Sequence, residues 1–414
     1  MTSTANAKNL PLHRIRVLDM SRILAGPWAT QTLADLGAEV IKVERPVHGD
    51  DTRSWGPPFL QDPQTQQSAD AAYFMTCNRG KKSITIDFTQ KAGADLLREL
   101  VLKCDVLIEN FKVGGLKKYG LDYESLKAIH PGLVYCSITG FGQDGPYAER
   151  PGYDFLIQAM GGLMSITGER EGRPGGGPQK VGVAITDVMT GLYSSIGILA
   201  ALRSKDETGL GQHLDISLMD VQVAALANQA SAYLVTQKVP ERLGNEHPSI
   251  SPYQSLPAKD GHFILAVGND SQFKSFCQAA GHPELALDER FTSNRARVTH
   301  REALTQALEA ITRTRTIDDW TQTMERANVP CGPINTLDRV FADPQVQHRG
   351  LHVELPHPRY GSVPSVANPI RLSQTPIQYD KAPPELGEHN HAVLRELLGL
   401  NEEQTKTLQA QGIV

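Results

Sequence analysis

An aspartate beside an apolar segment is the residue in this 414-residue chain whose position most suggests chemistry. Asp187 follows a β-like run at residues 181–186 and precedes a stretch rich in Ala, Leu and Ile, so we predict that it caps a helix. A helix N-terminus favours negative charge, which predicts an ionised carboxylate at neutral pH. Position alone leaves two interpretations open: a structural cap that contributes about 1 kcal/mol, or a carboxylate nucleophile for covalent catalysis.

Positively charged side chains recur in the loops of the first third of the chain. Each one alone is an ordinary surface charge. Gathered beyond one edge of a sheet, such side chains could hold the phosphate groups of a ligand. The residues concerned are Arg45, Arg53, Arg79, Lys81, Lys82, Lys112, Lys117 and Lys118.

The elements that position these residues alternate between strands and helices. Alternation of this kind predicts an α/β fold with a doubly wound parallel sheet, in which ligands bind beyond the carboxyl ends of the strands. The first strand-to-helix turn lacks G-x-G-x-x-G, and no G-x-x-x-x-G-K-[ST] loop follows, so nicotinamide, flavin and P-loop fingerprints are absent. The apolar runs typical of buried strands are residues 14–20, 40–44, 83–88, 105–109, 133–139 and 211–218.

A break in this pattern divides the chain into domains. Residues 238–252 are rich in Pro, Gly, Asn and Ser, which is typical of a linker. We therefore predict a large Rossmann-like domain at residues 1–237 and a smaller α+β domain at 245–330. A C-terminal segment at 331–414 is expected to return to the large domain, which would make that domain discontinuous.

The composition is that of an ordinary soluble enzyme, with 40% hydrophobic and 21% charged residues. A formal net charge of -5 gives no basic field for nucleic acid or an acidic membrane surface, and the apolar run at residues 191–202 is too short to span a bilayer. Five scattered cysteines, and a first stretch of 14 residues without the apolar core of a signal peptide, predict a reduced, cytoplasmic protein. His389 and His391 have no third ligand nearby, so we expect no metal site.

Motifs spread in order over nearly the whole chain carry a resemblance to a known family. They are DMSRILAGPWATQTLADLGAEVIKVERP, GDDTRSWGPP, NRGKKSITIDF, IENFKVGGL, YCSITGFGQDGPY, GYDFLIQAMGGLMSITG, VGVAITDVMTGLYS and PPELGEHN. Together they resemble the class III coenzyme A transferases, the formyl-CoA transferase and CaiB-like family. The resemblance implies coenzyme A thioesters and carboxylic acids as substrates, no permanently bound cofactor and an interlocked homodimer.

The resemblance also implies roles for single residues. Asp187 matches the family nucleophile, which forms an aspartyl-CoA thioester. Trp55 and Tyr153 match residues of the acyl site, whereas Leu24 stands where formyl-CoA transferase has Gln, which argues against a formyl or oxalyl substrate. The residues that match coenzyme A contacts are Arg45, Asn78, Arg79, Lys81, Lys82, Asn110, Phe111 and Lys118.

Several of the same stretches look most like the branch that moves coenzyme A among dicarboxylates, such as from succinyl-CoA to glutarate, hydroxymethylglutarate or itaconate. A second carboxylate in a partly desolvated site needs a cation. We expect Arg22, Arg53 or His247 to supply it. A coenzyme A transferase for another acid, of the carnitine or aryl type, remains an alternative.

Two further alternatives belong to other functional classes. An acyl-CoA racemase of the same family has a His in a G-H-D motif, which here reads G-Y-D at residues 152–154. A phenol with a pKa of about 10 is a poor replacement for an imidazole with a pKa of about 6.5. A carrier or sensor that binds coenzyme A without chemistry is the non-enzymatic alternative.

Overall fold

The computed structural model describes residues 10–65 and 67–414. Residues 1–9 lie outside the described residues. They include the start of the predicted large domain and most of the segment expected to lack a signal peptide. The chain forms two compact units. Unit 1 contains the described residues up to Gly162 together with Val181–Ala230 and Gln345–Val414; unit 2 contains Leu163–Lys180 and Ser231–Pro344. These bounds differ from the sequence-based ones, because residues 163–180, 231–237 and 331–344 belong to unit 2.

The first part of the chain alternates strands with helices. Each of the six predicted sheet strands is present, but residues 181–186 form no strand because a helix begins there at Ile185. Two 3₁₀ turns occur at Asp51–Ser54 and Lys117–Tyr119. In order, the elements are β1 (Arg16–Asp19), α1 (Ala25–Asp35), β2 (Glu39–Glu44), β3 (Phe59–Gln61), β4 (Ser68–Ala71), α2 (Ala72–Met75), β5 (Lys81–Thr85), α3 (Lys91–Val101), β6 (Val106–Glu109), α4 (Tyr123–Ile129), β7 (Val134–Thr139), α5 (Asp154–Met160), α6 (Leu163–Ile166), α7 (Ile185–Thr208), β8 (His213–Ser217), α8 (Leu218–Ala225) and α9 (Ala227–Thr236).

The second part of the chain contains two antiparallel hairpins and shorter helices. The hairpin of β3 and β4 in the first part of the chain has no counterpart in the sequence-based prediction. A further 3₁₀ turn lies at Pro283–Ala286. The remaining elements are β9 (Tyr253–Ala258), β10 (Gly261–Ala266), α10 (Asp270–Ala280), α11 (Asn294–Thr299), α12 (Arg301–Thr312), α13 (Ile317–Arg326), β11 (Cys331–Pro333), α14 (Leu337–Ala342), α15 (Pro344–His348), β12 (His352–His357), β13 (Gly361–Val366), α16 (Asn390–Leu398) and α17 (Glu402–Ala410).

Unit 1 is built on one parallel sheet of six strands in the order β5-β2-β1-β6-β7-β8. The central strand β1 pairs through Val17 with Val40 of β2 and Val106 of β6. The α/β class with a large parallel sheet is thereby confirmed. Because all strands point the same way, the loops that follow β1, β2, β6 and β7 meet at one edge of the sheet.

Apolar side chains cover both faces of this sheet. On one face, Leu33 of α1 and Ile198 of α7 belong to a buried cluster with the sheet valines. On the other face, Leu97 of α3, Leu126 of α4 and Leu394 of α16 form a second cluster. Full burial of such side chains contributes roughly 1.5–3 kcal/mol each, so the sheet edge is a rigid support for the loops above it.

Helix α7 packs closely against α1. Its 24 residues, more than the apolar run recognised in the sequence, are long and apolar enough to cross a membrane by length and composition, but a core helix passes the same test and 44% of the apolar window is buried. A side chain at Gly191 would place its Cβ 2.7 Å from the Ala25 carbonyl oxygen, so glycine permits the close approach of the two helices. This packing fixes the start of α7 relative to the sheet. The polar residues on the buried side of α7 are Thr186, Asp187, Thr190, Ser194 and Ser195.

Unit 2 by itself is a three-stranded antiparallel sheet, β11-β10-β9, covered by helices. Trp320 of α13 is fully buried in its core. The indole stacks on Phe263 at a centroid distance of 6.2 Å and on Phe276 at 6.5 Å. Its Nε1 donates to the Thr312 carbonyl oxygen, so the one polar atom of this side chain is satisfied inside an apolar core.

Candidate active site

Asp187 lies in the first turn of α7, not immediately before the helix. Ala184 is the residue that precedes the helix, and its side chain makes no capping hydrogen bond. The prediction that Asp187 caps the helix is therefore wrong, as is the strand predicted at residues 181–186. A carboxylate from another element supplies the cap, and no local pattern in the sequence could reveal it.

Asp154, the first residue of α5, is that carboxylate. Its Oδ2 accepts hydrogen bonds from the backbone amides of Thr186 at 2.8 Å and Asp187 at 3.3 Å. Its Oδ1 accepts a further bond from Gln158 Nε2 at 2.6 Å. First-turn amides have no partner in their own helix, so Asp154 stabilises the start of α7. Sequence reasoning missed this residue, which stands 33 positions from Asp187.

The Asp187 side chain lines a cavity of about 250 Å³ at the carboxyl edge of the sheet. The residue itself is only 9% exposed. Loops after β1, β6 and β7, together with the starts of α5 and α7, form the walls. The cavity brings together the predicted site residues Arg22, Leu24, Asn110, Phe111, Tyr153 and Asp187.

Burial raises the pKa of Asp187 to about 7, and the neighbouring Asp154 carboxylate adds to the increase. Burial disfavours the charged form by removing water, and Asp154 disfavours it by repulsion between like charges. The helix N-terminus alone predicts full ionisation at neutral pH, whereas this structure places the Asp187 carboxyl near half-ionisation at pH 7. A carboxylate with a raised pKa is a better nucleophile once it is deprotonated, which suits covalent catalysis.

Replacing Asp154 by asparagine should move the acidic limb of the pH profile of kcat to lower pH. Asparagine keeps an oxygen for the Thr186 amide but removes the negative charge that helps to raise the pKa of Asp187. We expect a shift of about one pH unit, measured as kcat between about pH 5 and 9. Gln158→Leu is the control, since it removes a hydrogen bond to Asp154 but no charge. An unchanged profile in Asp154→Asn would contradict the coupling of the two carboxylates.

Arg22 is held by its main chain and leaves part of its guanidinium without a partner. Its backbone amide donates to Asn110 Oδ1 at 2.9 Å, and its carbonyl oxygen accepts from Asn110 Nδ2 at 2.8 Å. Its Nη1 donates to Asp51 at 2.8 Å. Its buried Nε has no hydrogen-bond partner among the described residues. The side chain as a whole is 38% exposed and lines the cavity, so the guanidinium group is placed to meet an anionic ligand there.

The loop that carries Arg22 is fixed by a buried ion pair. Ile23 adopts a left-handed conformation with φ of 71°, which is costly for a β-branched residue. Its amide donates to the Asp50 carboxylate, and Lys42 Nζ donates to Asp50 at 2.9 Å and to the Ser21 carbonyl oxygen at 3.0 Å. Burial alone would raise the pKa of Asp50, but Lys42 lowers it to about 2. Asp50 therefore stays charged and holds the loop over the physiological pH range.

Arg45 lies at a second cavity of about 100 Å³, which shares Arg22 and Phe111 with the first. Its Nη2 donates to Asp51 at 3.1 Å, and its side chain is 54% exposed. Lys118 is exposed in the loop after β6, with Nζ 4.7 Å from the Tyr119 ring centroid. The structure thus keeps both cations on loops at the carboxyl edge, although Lys118 lines neither of the two cavities.

The residues from Asn78 to Lys82 do not line either cavity. This segment leads into β5, which begins at Lys81, so it lies at the amino edge of a parallel sheet. Its polar groups are engaged within unit 1, and the coenzyme A contacts expected for Asn78, Arg79, Lys81 and Lys82 stay a prediction. Their partners are the Phe74 carbonyl oxygen for Asn78 (2.9 Å), Asp35 for Arg79 (2.7 Å), Asp19 for Lys81 (3.1 Å) and Glu39 for Lys82 (2.5 Å).

Arg53 is also a structural residue. Its guanidinium pairs with Glu44 at 2.7 Å and with Asp70 at 2.6 Å, and it stacks on the Phe74 ring at 3.7 Å. The side chain is buried and lines neither cavity, so its role toward a substrate carboxylate stays a prediction. Arg22 remains the better candidate for that role.

Trp55 lies outside the cavity lining but touches a neighbour of Asp187. It makes an edge contact with Tyr73 at a centroid distance of 5.5 Å. Burial raises the pKa of Tyr73 to about 12, and the negative charge of Asp187 contributes to that increase. The acyl-site role of Trp55 therefore stays a prediction, with Tyr73 as a residue that sequence reasoning missed.

His247 belongs to unit 2 and makes local contacts there. Its Nδ1 accepts from the Ser249 amide at 3.1 Å, and its ring lies 5.4 Å from that of Tyr253. Its predicted role toward a substrate stays a prediction. Over residues 10–65 and 67–414, no group of three or more His, Cys, Asp or Glu side chains is arranged to hold a metal ion.

A buried carboxylate at the carboxyl edge of a parallel sheet, in one cavity with the Arg22 side chain, defines an enzyme site for anionic substrates. The family model described as CoA-transferase family III matches residues 12–390 of this chain. The protein therefore belongs to CoA-transferase family III, whose members are transferases of sulfur-containing groups (EC 2.8.3.-).

Individual relatives agree with this assignment over nearly the full chain. The succinate–glutarate CoA-transferase of Agrobacterium fabrum is 51% identical over 397 residues, which cover 96% of this chain and 98% of the relative. The human succinyl-CoA:glutarate CoA-transferase is 41% identical over 404 residues, 98% of this chain and 90% of the relative. The crystal structure of a CAIB/BAIF family protein from Brucella suis matches with a TM-score of 0.83 and 53% identity, over 94% of this chain and 100% of that one. The family resemblance seen in the sequence is confirmed.

Proposed function

We propose that this enzyme transfers coenzyme A from succinyl-CoA to glutarate through an aspartyl-CoA thioester on Asp187. The observation that carries the proposal is the cavity that brings the buried Asp187 carboxylate together with the unpartnered Nε of Arg22. The Agrobacterium and human relatives are named for the same pair of acids, which supports the choice of substrates.

The first half-reaction activates the enzyme carboxylate. Asp187 attacks the thioester carbonyl carbon of succinyl-CoA and expels the coenzyme A thiolate, which leaves a mixed succinyl–aspartyl anhydride. The thiolate then attacks the Asp187 carbonyl carbon of this anhydride. Succinate leaves with the electron pair of the broken C–O bond, and the enzyme holds an aspartyl-CoA thioester.

The second half-reaction repeats these steps with the acceptor. A carboxylate oxygen of glutarate attacks the aspartyl thioester and expels the thiolate, which gives a glutaryl–aspartyl anhydride. The thiolate attacks the glutaryl carbonyl carbon, so glutaryl-CoA forms and Asp187 returns as a free carboxylate. Covalent storage preserves the thioester energy throughout, provided that water is kept away, and the low exposure of Asp187 serves this purpose.

The backbone amides at the start of α7 are not available to the developing oxyanions. The amides of Thr186 and Asp187 both donate to Asp154. The Arg22 amide and the Asn110 side-chain amide bond each other, so in this proposal the Arg22 guanidinium, which lines the same cavity, stabilises the oxyanions. Coenzyme A itself is bound by Phe111 and by the cations Arg45 and Lys118 at the same edge, with Lys112 in the cavity wall.

A dimer is the second part of the proposal. Exposed apolar side chains cluster on α5 and α7 of unit 1, and exposed apolar surface of this extent usually marks an interface. The family resemblance adds that the two subunits are interlocked. The side chains concerned, each more than 40% exposed, are Phe155, Leu156, Met160, Leu192, Tyr193 and Ile196.

An interlocked dimer should not dissociate on dilution. We expect light scattering at micromolar and nanomolar concentrations to give twice the 45.2 kDa mass of one chain. Ile196→Lys places a charge in the exposed apolar cluster and should yield monomer or insoluble protein, whereas Val47→Lys, at an isolated exposed valine, should leave the dimer intact. A wild-type monomer at micromolar concentration would contradict this part of the proposal.

The proposed reaction is tested by supplying succinyl-CoA with a panel of carboxylic acids and detecting the new acyl-CoA by mass spectrometry. We expect glutaryl-CoA as a main product. A protein that only binds coenzyme A would show saturable binding but no exchange of label between acyl-CoA and free acids. A preference for butyrate or carnitine over glutarate would overturn the substrate assignment without affecting the family.

A further inference from the structure

Glu109 is a buried carboxylate that the proposed chemistry does not use. It ends β6, is only 5% exposed, and accepts a hydrogen bond from the Phe111 backbone amide at 2.7 Å. The Ser137 hydroxyl donates a second bond to it. No cation among the described residues acts on its charge. A carboxylate kept in this position without an ion pair requires an explanation.

The bond network of Glu109 continues to the neighbouring strand. Ser137 Oγ of β7 lies 2.9 Å from His213 Nε2 of β8, and the His213 ring stacks on Tyr123 at 4.9 Å. These groups line a cavity of about 50 Å³, enough for one or a few water molecules. Glu109, Ser137 and His213 thus form one hydrogen-bonded chain from a buried carboxyl group to a partly exposed imidazole.

The amide that Glu109 binds belongs to the loop that lines the active-site cavity. Asn110, Phe111, Lys112 and Val113 all contribute to that lining, and Phe111 also lines the adjoining cavity beside Arg45. The backbone carbonyl and amide of Arg22 hold the Asn110 side chain in place. The hydrogen bond from the Phe111 amide to Glu109 holds the next residue of the loop in the same way. Hydrogen bonds to an ionised acceptor are shorter and about twice as strong as those to a neutral one.

We propose that Glu109 is a positioning residue for coenzyme A: its ionised carboxylate holds the Phe111 amide, and with it the loop at residues 110–113, in the conformation that binds the nucleotide. Ser137 and His213 provide the path along which the buried carboxyl group exchanges its proton with solvent. The inference rests on the proposed function only in assigning coenzyme A to this loop. It does not depend on the chemistry of Asp187.

This role makes coenzyme A affinity depend on pH. Burial raises the pKa of Glu109 to about 7, so the ionised anchor predominates above pH 7 and is lost as the pH falls through 7. Burial keeps the phenol of Tyr135 and the thiol of Cys136 neutral in this range, and it lowers the pKa of His213. The groups that face Glu109 from the packed elements are Tyr135 and Cys136 on β7, His213 and Asp215 on β8, Asp122 and Tyr123 at α4, and Lys112 in the loop.

The test is equilibrium binding of free coenzyme A to the full-length enzyme, measured by calorimetry at about pH 6 and pH 8. Glutamine has the shape of glutamate and keeps an acceptor oxygen for Phe111, so Glu109→Gln removes the charge alone. We expect the variant to bind about tenfold more weakly than wild type at pH 8 and equally at pH 6, where wild-type Glu109 is itself neutral. Glu124→Gln, at an exposed glutamate of α4, is the matched control and should change nothing.

Two outcomes would overturn the proposal: equal affinity of wild type and Glu109→Gln at pH 8, or a defect of the same size at both pH values, which indicates packing alone. If Glu109→Gln does not fold, Ser137→Ala provides the second test. It removes a donor to the ionised carboxylate and should move the pH midpoint of coenzyme A affinity upward. Because binding requires no turnover, a failure here is distinguishable from a failure of the Asp187 mechanism.

Discussion

Replacing Asp187 by alanine should abolish coenzyme A transfer. Among the described residues, the carboxylate hydrogen-bonded to the first turn of α7 is that of Asp154, whose oxygens are engaged by backbone amides and Gln158. We expect kcat to fall by about 10⁴-fold or more, which is the scale of loss when a covalent nucleophile is removed. The measurement is the rate of glutaryl-CoA formation, and full activity in the variant would rule out the aspartyl mechanism.

The covalent intermediate gives an independent test of the same residue. Wild-type enzyme incubated with succinyl-CoA and then hydroxylamine should carry a hydroxamate at Asp187, detected by peptide mass spectrometry, and the alanine variant should not. Asp187→Asn is the matched control for shape. It should be as inactive as the alanine variant.

Replacing Asp187 by asparagine should also change the free energy of unfolding. The folded-state pKa of Asp187 is about 7, above its ordinary value, so the folded protein binds the extra proton between the two values. The free energy of unfolding therefore falls as pH rises through this range, because the ionised carboxylate is buried beside Asp154. Asp187→Asn should be more stable than wild type at about pH 8 and equal to it near pH 4, measured by urea unfolding. Such a result would show that the ionised, reactive form of Asp187 destabilises the folded protein.

Replacing Arg22 by methionine should lower kcat/KM for glutarate by about 30- to 1000-fold, or ~2 to 4 kcal/mol. The distal carboxylate of the acid would lose the guanidinium group that lines the cavity together with Asp187. Methionine preserves the apolar stem of arginine, so packing changes little. The KM for succinyl-CoA is the second measurement. A monocarboxylate such as butyrate is the reference acceptor, and its kcat/KM should change much less than that of glutarate.

Arg45→Met is the matched control for Arg22→Met. Arg45 shares Asp51 with Arg22 but lies at the second cavity, away from Asp187. Its replacement should weaken coenzyme A binding and leave the choice among acids unchanged. If Arg22→Met retains the wild-type preference for glutarate over butyrate, Arg22 is not the residue that binds the distal carboxylate.

The sheet and the first cavity could be predicted from the sequence because they depend on local patterns. Apolar runs of strand length alternate with helical patterns, and parallel strands bring the Arg22 and Asn110 loops to one edge. The edge at which residues 78–82 lie could not be predicted in this way. Whether a loop lies at the carboxyl or amino edge depends on which side of its strand it joins, and resemblance to family motifs does not report that geometry.

Other features were beyond the reach of the sequence because they depend on contacts between distant residues. The cap on α7 comes from Asp154, and the anchor of Arg53 comes from Glu44 and Asp70. A carboxylate or guanidinium looks the same in a sequence whether it is free or paired. The raised pKa of Asp187 likewise requires both burial and the proximity of Asp154, neither of which follows from its place before an apolar segment.

The buried Lys42–Asp50 pair has a consequence for engineering new acid specificity. It holds the left-handed backbone at Ile23, and Asn110 holds Arg22 on its other side, so the main chain at residues 21–23 is fixed independently of the Arg22 and Leu24 side chains. The side chains at Arg22 and Leu24 can then be replaced without a change in the backbone conformation that presents them. Variant libraries restricted to these two positions should yield enzymes with altered acid preference that fold normally. An additional substitution at Lys42 or Asp50 should impair the loop conformation, and with it the activity, of every variant.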